Sequence, residues 1–259
     1  MKKILLTATT LLLLVSCTVK EDRAGCPCWL DVDVSQCGGL VRLLGYGAGG
    51  RVIDETVDPL ENPVCTYTVP KGMLTLSALS GLAEGEIADS TLTCRPGRQF
   101  PKASLYMATV KTSDQENVEV VVTPHKVYSE ITFYLPEGME FLAPSVTIQT
   151  VSTSVGYDLT DATVLRGEFT YATLLDDRGS GSVRVPRQKY GDLTVIVYLN
   201  GERYRVIDLW SELDRRGYDW DERDLKDVSI VLEIGNAGGI IVISDWDPQG
   251  APVERPETE

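Results

Sequence analysis

The sequence contains a single histidine, His125, and this limits the chemistry available to the chain. Most Ser or Cys nucleophiles need a histidine as general base, so His125 is the one candidate for that role. The sequence has no Gly-x-Ser-x-Gly motif, and His125 directly follows Pro124 between two predicted strands. We therefore expect a hydrogen-bonded structural histidine, and a protein that is not an enzyme, with no catalytic residues and no cofactor.

Five cysteines in the first half of the chain offer a second kind of chemistry. They are candidate disulfide cysteines, because an exported chain meets oxidising conditions. Their odd number leaves at least one unpaired, and their spacing does not determine the pairing. Three of them, in a Cys-Pro-Cys motif with a third Cys nine residues on, could bind zinc, but no histidine is nearby and zinc usually takes four ligands, so we expect no metal site. The five residues are Cys26, Cys28, Cys37, Cys65 and Cys94.

Two other motifs approach known ligand sites without matching them. Residues 219–224 include four carboxylates that could bind calcium, but they lack the twelve-residue loop with its central Gly and terminal Glu. Gly45, Gly47 and Gly50 have dinucleotide-binding spacing, which requires a helix immediately afterwards. Residues 51–57 instead have a strand pattern. We expect a solvated acidic turn and a glycine-rich hairpin loop.

Composition excludes one class of partner. Lys and Arg number 24 against 38 Asp and Glu, and the resulting net charge of -14 repels nucleic-acid phosphates, so no nucleic acid partner is expected. With 43% hydrophobic and 24% charged residues, the chain has the composition of a folded protein. Its 259 residues suffice for two domains.

The N-terminus has the order of a secretory signal: two lysines, an apolar run over residues 4–15, and then small residues. As a helix, this run would be about 18 Å long, which is too short for a hydrocarbon core of about 30 Å. We therefore predict a signal peptide that is removed.

The end of this segment, Leu14-Val15-Ser16-Cys17, resembles the lipobox of bacterial lipoproteins. The resemblance implies signal cleavage between Ser16 and Cys17 and lipidation of Cys17, which would hold the protein to outer-membrane lipid, because two acyl chains already anchor a protein stably. An ordinary signal peptide with a chance cysteine is the alternative. The following Lys20-Glu21-Asp22 is similar to the export signal of Bacteroidota surface lipoproteins, although any tether must be polar. We expect a surface-exposed lipoprotein of the cell outer membrane.

The remaining chain is dominated by strand patterns bounded by Gly, Pro, Asn and Asp. The spacing in the first half is typical of a β-sandwich. The candidate strands there are residues 29–34, 40–44, 51–57, 65–69, 74–79, 105–111 and 118–123.

The second half begins with residues 126–135, whose period of two predicts one buried face carrying Val127, Ser129, Ile131, Phe133 and Leu135. Two hairpins follow. Residues 193–199 and 202–207 flank Asn200-Gly201, which suits a type I′ turn. Residues 228–234 and 240–246 flank a glycine-rich loop at 235–239.

A single short helix is predicted between these hairpins. Asp208 is its expected N-cap, Leu209, Trp210 and Leu213 share one face, and Gly217 follows its end. We interpret Trp210 as a core residue.

The predicted organisation has two β-sandwiches joined near Pro124-His125. The C-terminal residues carry three prolines and three glutamates and have little to bury. The predicted segments are a lipoprotein signal peptide at 1–16, a lipidated tether at 17–25, an N-terminal β-sandwich at 26–124, a C-terminal β-sandwich at 125–247 and a flexible tail at 248–259.

Taken together, these features resemble the FimB-like fimbrial-anchor lipoproteins of Bacteroidota. The resemblance is carried by Cys17, the Cys26-Pro27 pair, the strand at 126–135 and the C-terminal block from Asp208 to Trp246. It implies an all-β fold of two tandem transthyretin-like β-sandwich domains, with one short helix in the second. It also implies an outer-membrane protein that seats the base of a fimbrium, limits its length and joins fimbrial shaft subunits by strand donation.

Stalk subunits of that family are activated by cleavage after an Arg, which removes a long N-terminal strand. Only eight residues separate Cys17 from Cys26, so we expect no such propeptide strand and no cleavage after Arg23. The alternative function is a surface lipoprotein that binds glycans or other nutrients. That function needs exposed aromatic platforms, for which Trp220 with Tyr218 is the visible candidate.

Overall fold

The computed structural model describes residues 26–83, 86, 90–113, 115–232 and 234, and the backbone of 241–244. These residues form seventeen strands, one α-helix and one 3-10 helix. The strands of the first half are β1 (Cys28–Asp33), β2 (Val41–Gly47), β3 (Gly50–Val57), β4 (Val64–Val69), β5 (Met73–Ser80), β6 (Thr91–Thr93), β7 (Ser104–Lys111) and β8 (Asn117–Val121). The later elements are β9 (His125–Lys126), β10 (Tyr128–Tyr134), the 3-10 helix (Glu140–Ser145), β11 (Val146–Asp158), β12 (Thr163–Leu174), β13 (Ser180–Pro186), β14 (Thr194–Leu199), β15 (Glu202–Asp208), α1 (Leu209–Arg215), β16 (Val228–Leu232) and β17 (Ile241–Ser244).

The strands pair into four sheets that form two sandwiches, so the expected all-β fold class is confirmed. In the first sandwich, a sheet of order β4-β1-β8 packs on one of order β3-β2-β5-β7-β9. In the second, a sheet of order β13-β10-β16-β17 packs on one of order β12-β11-β14-β15. Each sandwich has its own core, because alternate side chains of both sheets point inward.

The buried face predicted for residues 126–135 is confirmed. Ser129, Ile131 and Phe133 of β10 are fully buried, and Val127 and Leu135 are nearly so. β10 pairs antiparallel with β13 and parallel with β16, so it lies at the centre of its sheet. A one-residue shift in register would turn this face to water, and the buried pattern therefore fixes the pairing.

The local turn predictions are also confirmed. Asn200 and Gly201 both have positive φ, 53° and 80°, as a type I′ turn between β14 and β15 requires. The glycines at 45–50 belong to the hairpin of β2 and β3, in which Gly47 is opposite Gly50. A strand follows, so this loop lacks the helix N-terminus that a dinucleotide site needs.

The predicted helix forms with the expected cap. An Asp208 carboxylate oxygen accepts a hydrogen bond from the Ser211 N–H at 3.0 Å, and Leu209 and Leu213 are buried. Gly217 has a φ of 80° just after the helix, where a left-handed residue usually stands.

The structure contains four strands and one strand pairing that were not predicted from the sequence. β6, β11, β12 and β13 were not expected, and β6 pairs antiparallel with β11 of the second sandwich although it precedes β7 in the chain. The division at residues 124 and 125 stays a prediction. The loop at 235–239, the tail at 248–259 and residues 1–25, with Cys17 and Arg23, lie outside the described residues.

A third hydrophobic cluster joins the two sandwiches. Its buried members come from both halves of the chain, and the Tyr157 hydroxyl donates a hydrogen bond to the Val127 carbonyl at 2.9 Å. The Ser77 hydroxyl donates to the Leu159 carbonyl at 3.1 Å across the same junction. The cluster contains Leu44, Leu79, Leu92, Phe100, Ala103, Leu105, Val127, Tyr128, Tyr157 and Leu159. The junction is therefore a packed core rather than a flexible linker.

Candidate functional site

The first strand after the predicted tether, β1, lies between two other strands. It pairs antiparallel with β4 along its whole length and parallel with β8 from Trp29 to Asp33. Cys28, Leu30 and Val32 point into the core and are fully buried. Both edges of β1 are therefore hydrogen-bonded, and its inward side chains are enclosed by apolar neighbours.

The end of the sandwich at which β1 begins can be read from the strand register. Cys28 is opposite Val69, which is followed closely by the start of β5. The other end of β5 pairs with Ser104 of β7, and Ser104 is opposite Lys126, from which the chain enters the second sandwich. The start of β1 therefore lies at the end of the first sandwich that points away from the second.

The five candidate disulfide cysteines are free thiols with different surroundings. Cys26 is exposed, Cys28 and Cys37 are buried in the first core, and Cys65 is half-buried beside it. Cys65 is opposite Val32, four positions along β1 from Cys28, which corresponds to about 13 Å along the strand. A disulfide requires Cα atoms within about 7 Å, so Cys28 and Cys65 do not pair in this register.

Cys94 lies apart from the other four, between the second core and the junction. Burial raises the pKa of its thiol to about 12, so it stays protonated and is a poor nucleophile. Burial also raises the pKa of Cys28 and Cys37. Among the described residues, no three His, Cys, Asp or Glu side chains form a group that could hold a metal ion.

His125 is hydrogen-bonded, as the sequence predicts. Its Nδ1 lies 3.0 Å from an Asp224 oxygen, and the other Asp224 oxygen accepts the Lys126 N–H at 2.7 Å. Partial burial raises the pKa of Asp224, but these hydrogen bonds outweigh it and leave the pKa below its usual value. The pair ties β9 to the segment that precedes β16.

The acidic segment 219–224 does not direct its carboxylates at a common point. Asp219 accepts the N–H of Asp221 at 2.8 Å, and Glu222 forms an ion pair with Lys226 at 2.8 Å. Asp224 is bound to His125. These side chains fix the local turn, and the arrangement does not resemble a calcium loop.

Trp220 and Tyr218, the candidate aromatic platform of the glycan-binding alternative, are not exposed. Trp220 and Tyr218 are each only 5% exposed, and the Trp220 ring stacks on Trp210 with centroids 6.0 Å apart. The Tyr218 hydroxyl donates to the Lys226 carbonyl at 2.8 Å, and burial raises the pKa of Tyr218. Trp210 is partly buried and packs against the second core. Trp220 and Tyr218 belong to the second core and present no exposed ring to a sugar.

The outer face of the sheet containing β11, β12 and β14 was not anticipated. Its side chains on β11, β12 and β14 are partly or fully exposed, and β11 and β12 were not predicted from the sequence. An alternation of Val, Ile and Thr over 146–151 is the signal that would have revealed β11.

Three solved structures place this architecture among known proteins. A candidate adhesin from Bacteroides thetaiotaomicron has a TM-score of 0.59 at 18% identity, covering 87% of this chain and 98% of that one. A protein from the same organism described as a candidate polysaccharide-binding protein has a TM-score of 0.60 at 10% identity, covering 85% and 96%. The fimbrial anchor protein Mfa2 from Porphyromonas gingivalis has a TM-score of 0.56 at 13% identity, covering 84% and 96%. The chain has the fold of these proteins.

Comparisons based on sequence did not identify a family for the chain. No protein-family model matches the chain, and no curated protein sequence matches it. The likeness therefore rests on architecture. No helix within the described part of the chain is long and apolar enough to cross a bilayer.

Proposed function

We propose that this protein is a lipid-anchored fimbrial subunit of the bacterial outer membrane that seats the base of a fimbrium and limits its length. It is held to the outer leaflet through acylated Cys17 and joins the fimbrial shaft on its other side. In this proposal the protein has no enzymatic activity and no cofactor. The shared fold with the fimbrial anchor Mfa2 and with candidate adhesins supports a fimbrial or adhesive role.

The observation that carries the proposal is the central position of β1. The predicted tether leads straight into a strand that is hydrogen-bonded on both edges to β4 and β8. Tension between membrane and fimbrium would act on β1, and its withdrawal would require both ladders to break and three fully buried side chains to leave the core. This arrangement suits a subunit that bears load at its N-terminus.

The same position bears on assembly by strand donation. An incoming strand needs an unpaired edge or a vacant place in a sheet. The place between β4 and β8 is already filled by this chain's own β1. A shaft subunit would therefore have to donate its strand to an unpaired edge elsewhere in this protein. This is expected of the first subunit of a polymer, which already contains its own β1 and does not need that strand from a neighbour.

The alternative, a glycan- or nutrient-binding surface lipoprotein, has weaker support. A protein described as a candidate polysaccharide-binding protein shares the fold. However, Trp220 and Tyr218 are buried, and sugar stacking requires an exposed aromatic face.

Deletion of the gene tests the proposal. The deletion strain and a complemented strain are sheared gently, and fimbrial polymer is imaged and blotted in the cell and medium fractions. We expect long, detached filaments in the medium of the deletion strain and their return to cells on complementation. Unchanged length and attachment would contradict the anchoring role and favour the glycan-binding alternative, which is then tested by binding of purified protein to polysaccharide.

A further inference from the structure

The end of the first sandwich at which β1 begins brings several segments of the chain together. The Trp29 N–H donates a hydrogen bond to the Glu116 carbonyl at 2.8 Å, and Met73 of β5 is opposite Lys111 of β7. The turn between β2 and β3 lies beside them, since a Cβ at Gly47 would be 4.0 Å from the Met73 carbonyl oxygen. We call this surface the tether end, and it consists of residues 26–29, 46–52, 70–73, 111–113 and 115–117.

Three apolar side chains at the tether end are exposed to solvent. Trp29 is 54% exposed on the outer face of β1, Met73 is 58% exposed at the start of β5, and Val52 of β3 is 38% exposed. Trp29 belongs to one sheet of the sandwich, whereas Met73 and Val52 belong to the other, so apolar side chains flank this end on both sides. Tryptophan is enriched where hydrocarbon meets water, because its ring is apolar and its N–H is polar.

The tether end does not share the acidity of the whole chain. With Asp114 included, the sequence of its segments contains three basic and two acidic residues, whereas the chain contains 24 basic and 38 acidic residues. The basic residues are Arg51, Lys71 and Lys111, and the acidic residues are Asp114 and Glu116. A surface of this composition is not repelled by anionic lipid headgroups.

The opposite end of the molecule is acidic. β11 begins there and reaches the junction with Gly156 to Asp158, which pair with β6. The loops beside the start of β11 are residues 136–145, 175–179 and 200–202. They contain five acidic residues and one basic residue, which are Glu137, Glu140, Asp176, Asp177 and Glu202 against Arg178. An anionic lipid surface would therefore repel this end of the molecule and favour the tether end.

The chain that precedes the tether end determines which surface it can meet. Nine residues, 17–25, would join an acylated Cys17 to the tether end, and nine residues span at most about 32 Å. The bilayer that holds the acyl chains is thus always within reach of the tether end. A contact between tethered partners is intramolecular, so even a weak contact is populated.

We propose that the tether end is a membrane-contact surface, which rests on the lipid bilayer with Trp29 and Met73 inserted among the headgroups. This inference rests on the proposed function, because the lipid on Cys17 brings the two surfaces together. It adds an orientation to the anchored protein. The second sandwich, beyond the packed junction, points away from the membrane and towards the fimbrial shaft.

Photo-cross-linking to lipid tests the contact. The lipidated protein carries p-benzoylphenylalanine at position 29 or 73, and is reconstituted into vesicles of phosphatidylcholine and phosphatidylglycerol. Position 141 is the control, because Phe141 is 75% exposed at the opposite end of the molecule. After irradiation, adducts are identified by mass spectrometry. We expect lipid adducts from positions 29 and 73 and none above background from position 141. Adducts with protein alone, or equal lipid labelling at all three positions, would overturn the inference.

A second experiment separates contact from proximity, since the tether alone keeps this end close to lipid. The cross-linker at position 73 is combined with Trp29→Asp, which places a carboxylate in the proposed contact. Leu60→Asp is the matched control, because Leu60 is 92% exposed in the loop between β3 and β4. We expect Trp29→Asp to lower the yield of lipid adducts several-fold and Leu60→Asp to leave it unchanged, with both melting temperatures near that of wild type. An unchanged yield in Trp29→Asp would contradict the contact.

The two proposals fail in different ways. If the protein carries lipid on Cys17 but positions 29 and 73 form no lipid adducts, the lipid anchor stands and the membrane contact fails. If these positions form lipid adducts but deletion of the gene leaves fimbriae unchanged, the membrane contact stands and the fimbrial role fails.

Discussion

Gly156 of β11 lies opposite Thr93 of β6, and this pairing leaves no room for a side chain at position 156. Gly156 has a φ of 149°, and a Cβ atom there would overlap the Leu92 carbonyl oxygen and come within 2.8 Å of the Thr93 Cα. Leu92 is fully buried in the cluster that joins the two sandwiches. The close approach of β6 to β11 is therefore part of the packing that joins the two sandwiches.

Replacement of Gly156 by Ala should weaken this junction. The new methyl group must push β6 away from β11, and the backbone at a φ of 149° disfavours an L-residue, so we expect the free energy of unfolding to fall by about 1–3 kcal/mol. Urea denaturation measures the change. Gly38→Ala is the matched control, because a Cβ there meets no atom within 4 Å. Equal stability of the two variants would contradict the close approach.

The N-cap of α1 gives a prediction that depends on pH. Asp208 accepts hydrogen bonds from the Ser211 hydroxyl at 2.6 Å and the Ser211 N–H at 3.0 Å, and these lower the pKa of Asp208. Replacement of Asp208 by Ala should cost about 1 kcal/mol near neutral pH, whereas Asp208→Asn, which keeps an acceptor, should cost less.

In acid, the difference in the free energy of unfolding between wild type and Asp208→Ala should become smaller. Since the folded-state pKa lies below the unfolded one, the stabilisation is fully present above the unfolded value of about 4 and is lost as pH falls through the folded value. Thermal melts of both proteins across this range provide the measurement. A gap that stays constant or widens in acid would show that the ionised carboxylate does not cap the helix.

Features encoded within a few residues could be predicted from the sequence. Asn200-Gly201 tolerates the positive φ that a tight turn needs, and the alternation from Val127 to Leu135 marks a half-buried strand, so both appear where expected. The class of the fold follows, because such strands recur along the chain. Local patterns indicate whether a segment forms a strand, a turn or a helix, but they do not indicate which other strand it pairs with.

Features that depend on distant partners could not be predicted. β6 has only three residues, and its pairing is with β11, more than sixty residues later. The buried positions Ser152 and Ser154 of β11 are polar, so the apolar alternation fades there; the Ser152 hydroxyl is bonded to Gln188 at 2.5 Å. Trp220 stands between two aspartates, yet Arg187 donates hydrogen bonds to the Trp220 and Glu222 carbonyls and holds that segment on the core.

The burial of Trp220 predicts a loss of stability rather than of a binding platform. Trp220→Ala removes a ring that stacks on Trp210 and contacts Tyr218, and should lower the free energy of unfolding by about 3–5 kcal/mol. Trp29→Ala is the control, since Trp29 is 54% exposed on the outer side of β1 and should change stability little. Chemical denaturation followed by near-ultraviolet circular dichroism measures both. A Trp220→Ala protein of wild-type stability that had lost polysaccharide binding would instead support the aromatic platform.

One matched pair of variants tests whether Cys17, rather than the exposed Cys26, carries the predicted lipid anchor. Cys17→Ser removes the thiol that would carry the diacylglyceryl group, so the protein should no longer incorporate labelled palmitate and should leave the outer-membrane fraction, since stable anchoring needs at least two acyl chains. Cys26→Ser alters an exposed thiol nine residues further on and should keep both label and location. Labelling followed by sucrose-gradient fractionation reads out both properties. If the Cys17→Ser protein still incorporated palmitate, the lipobox interpretation would be wrong. The proposed tension on β1 could then not come from a lipid attached to Cys17.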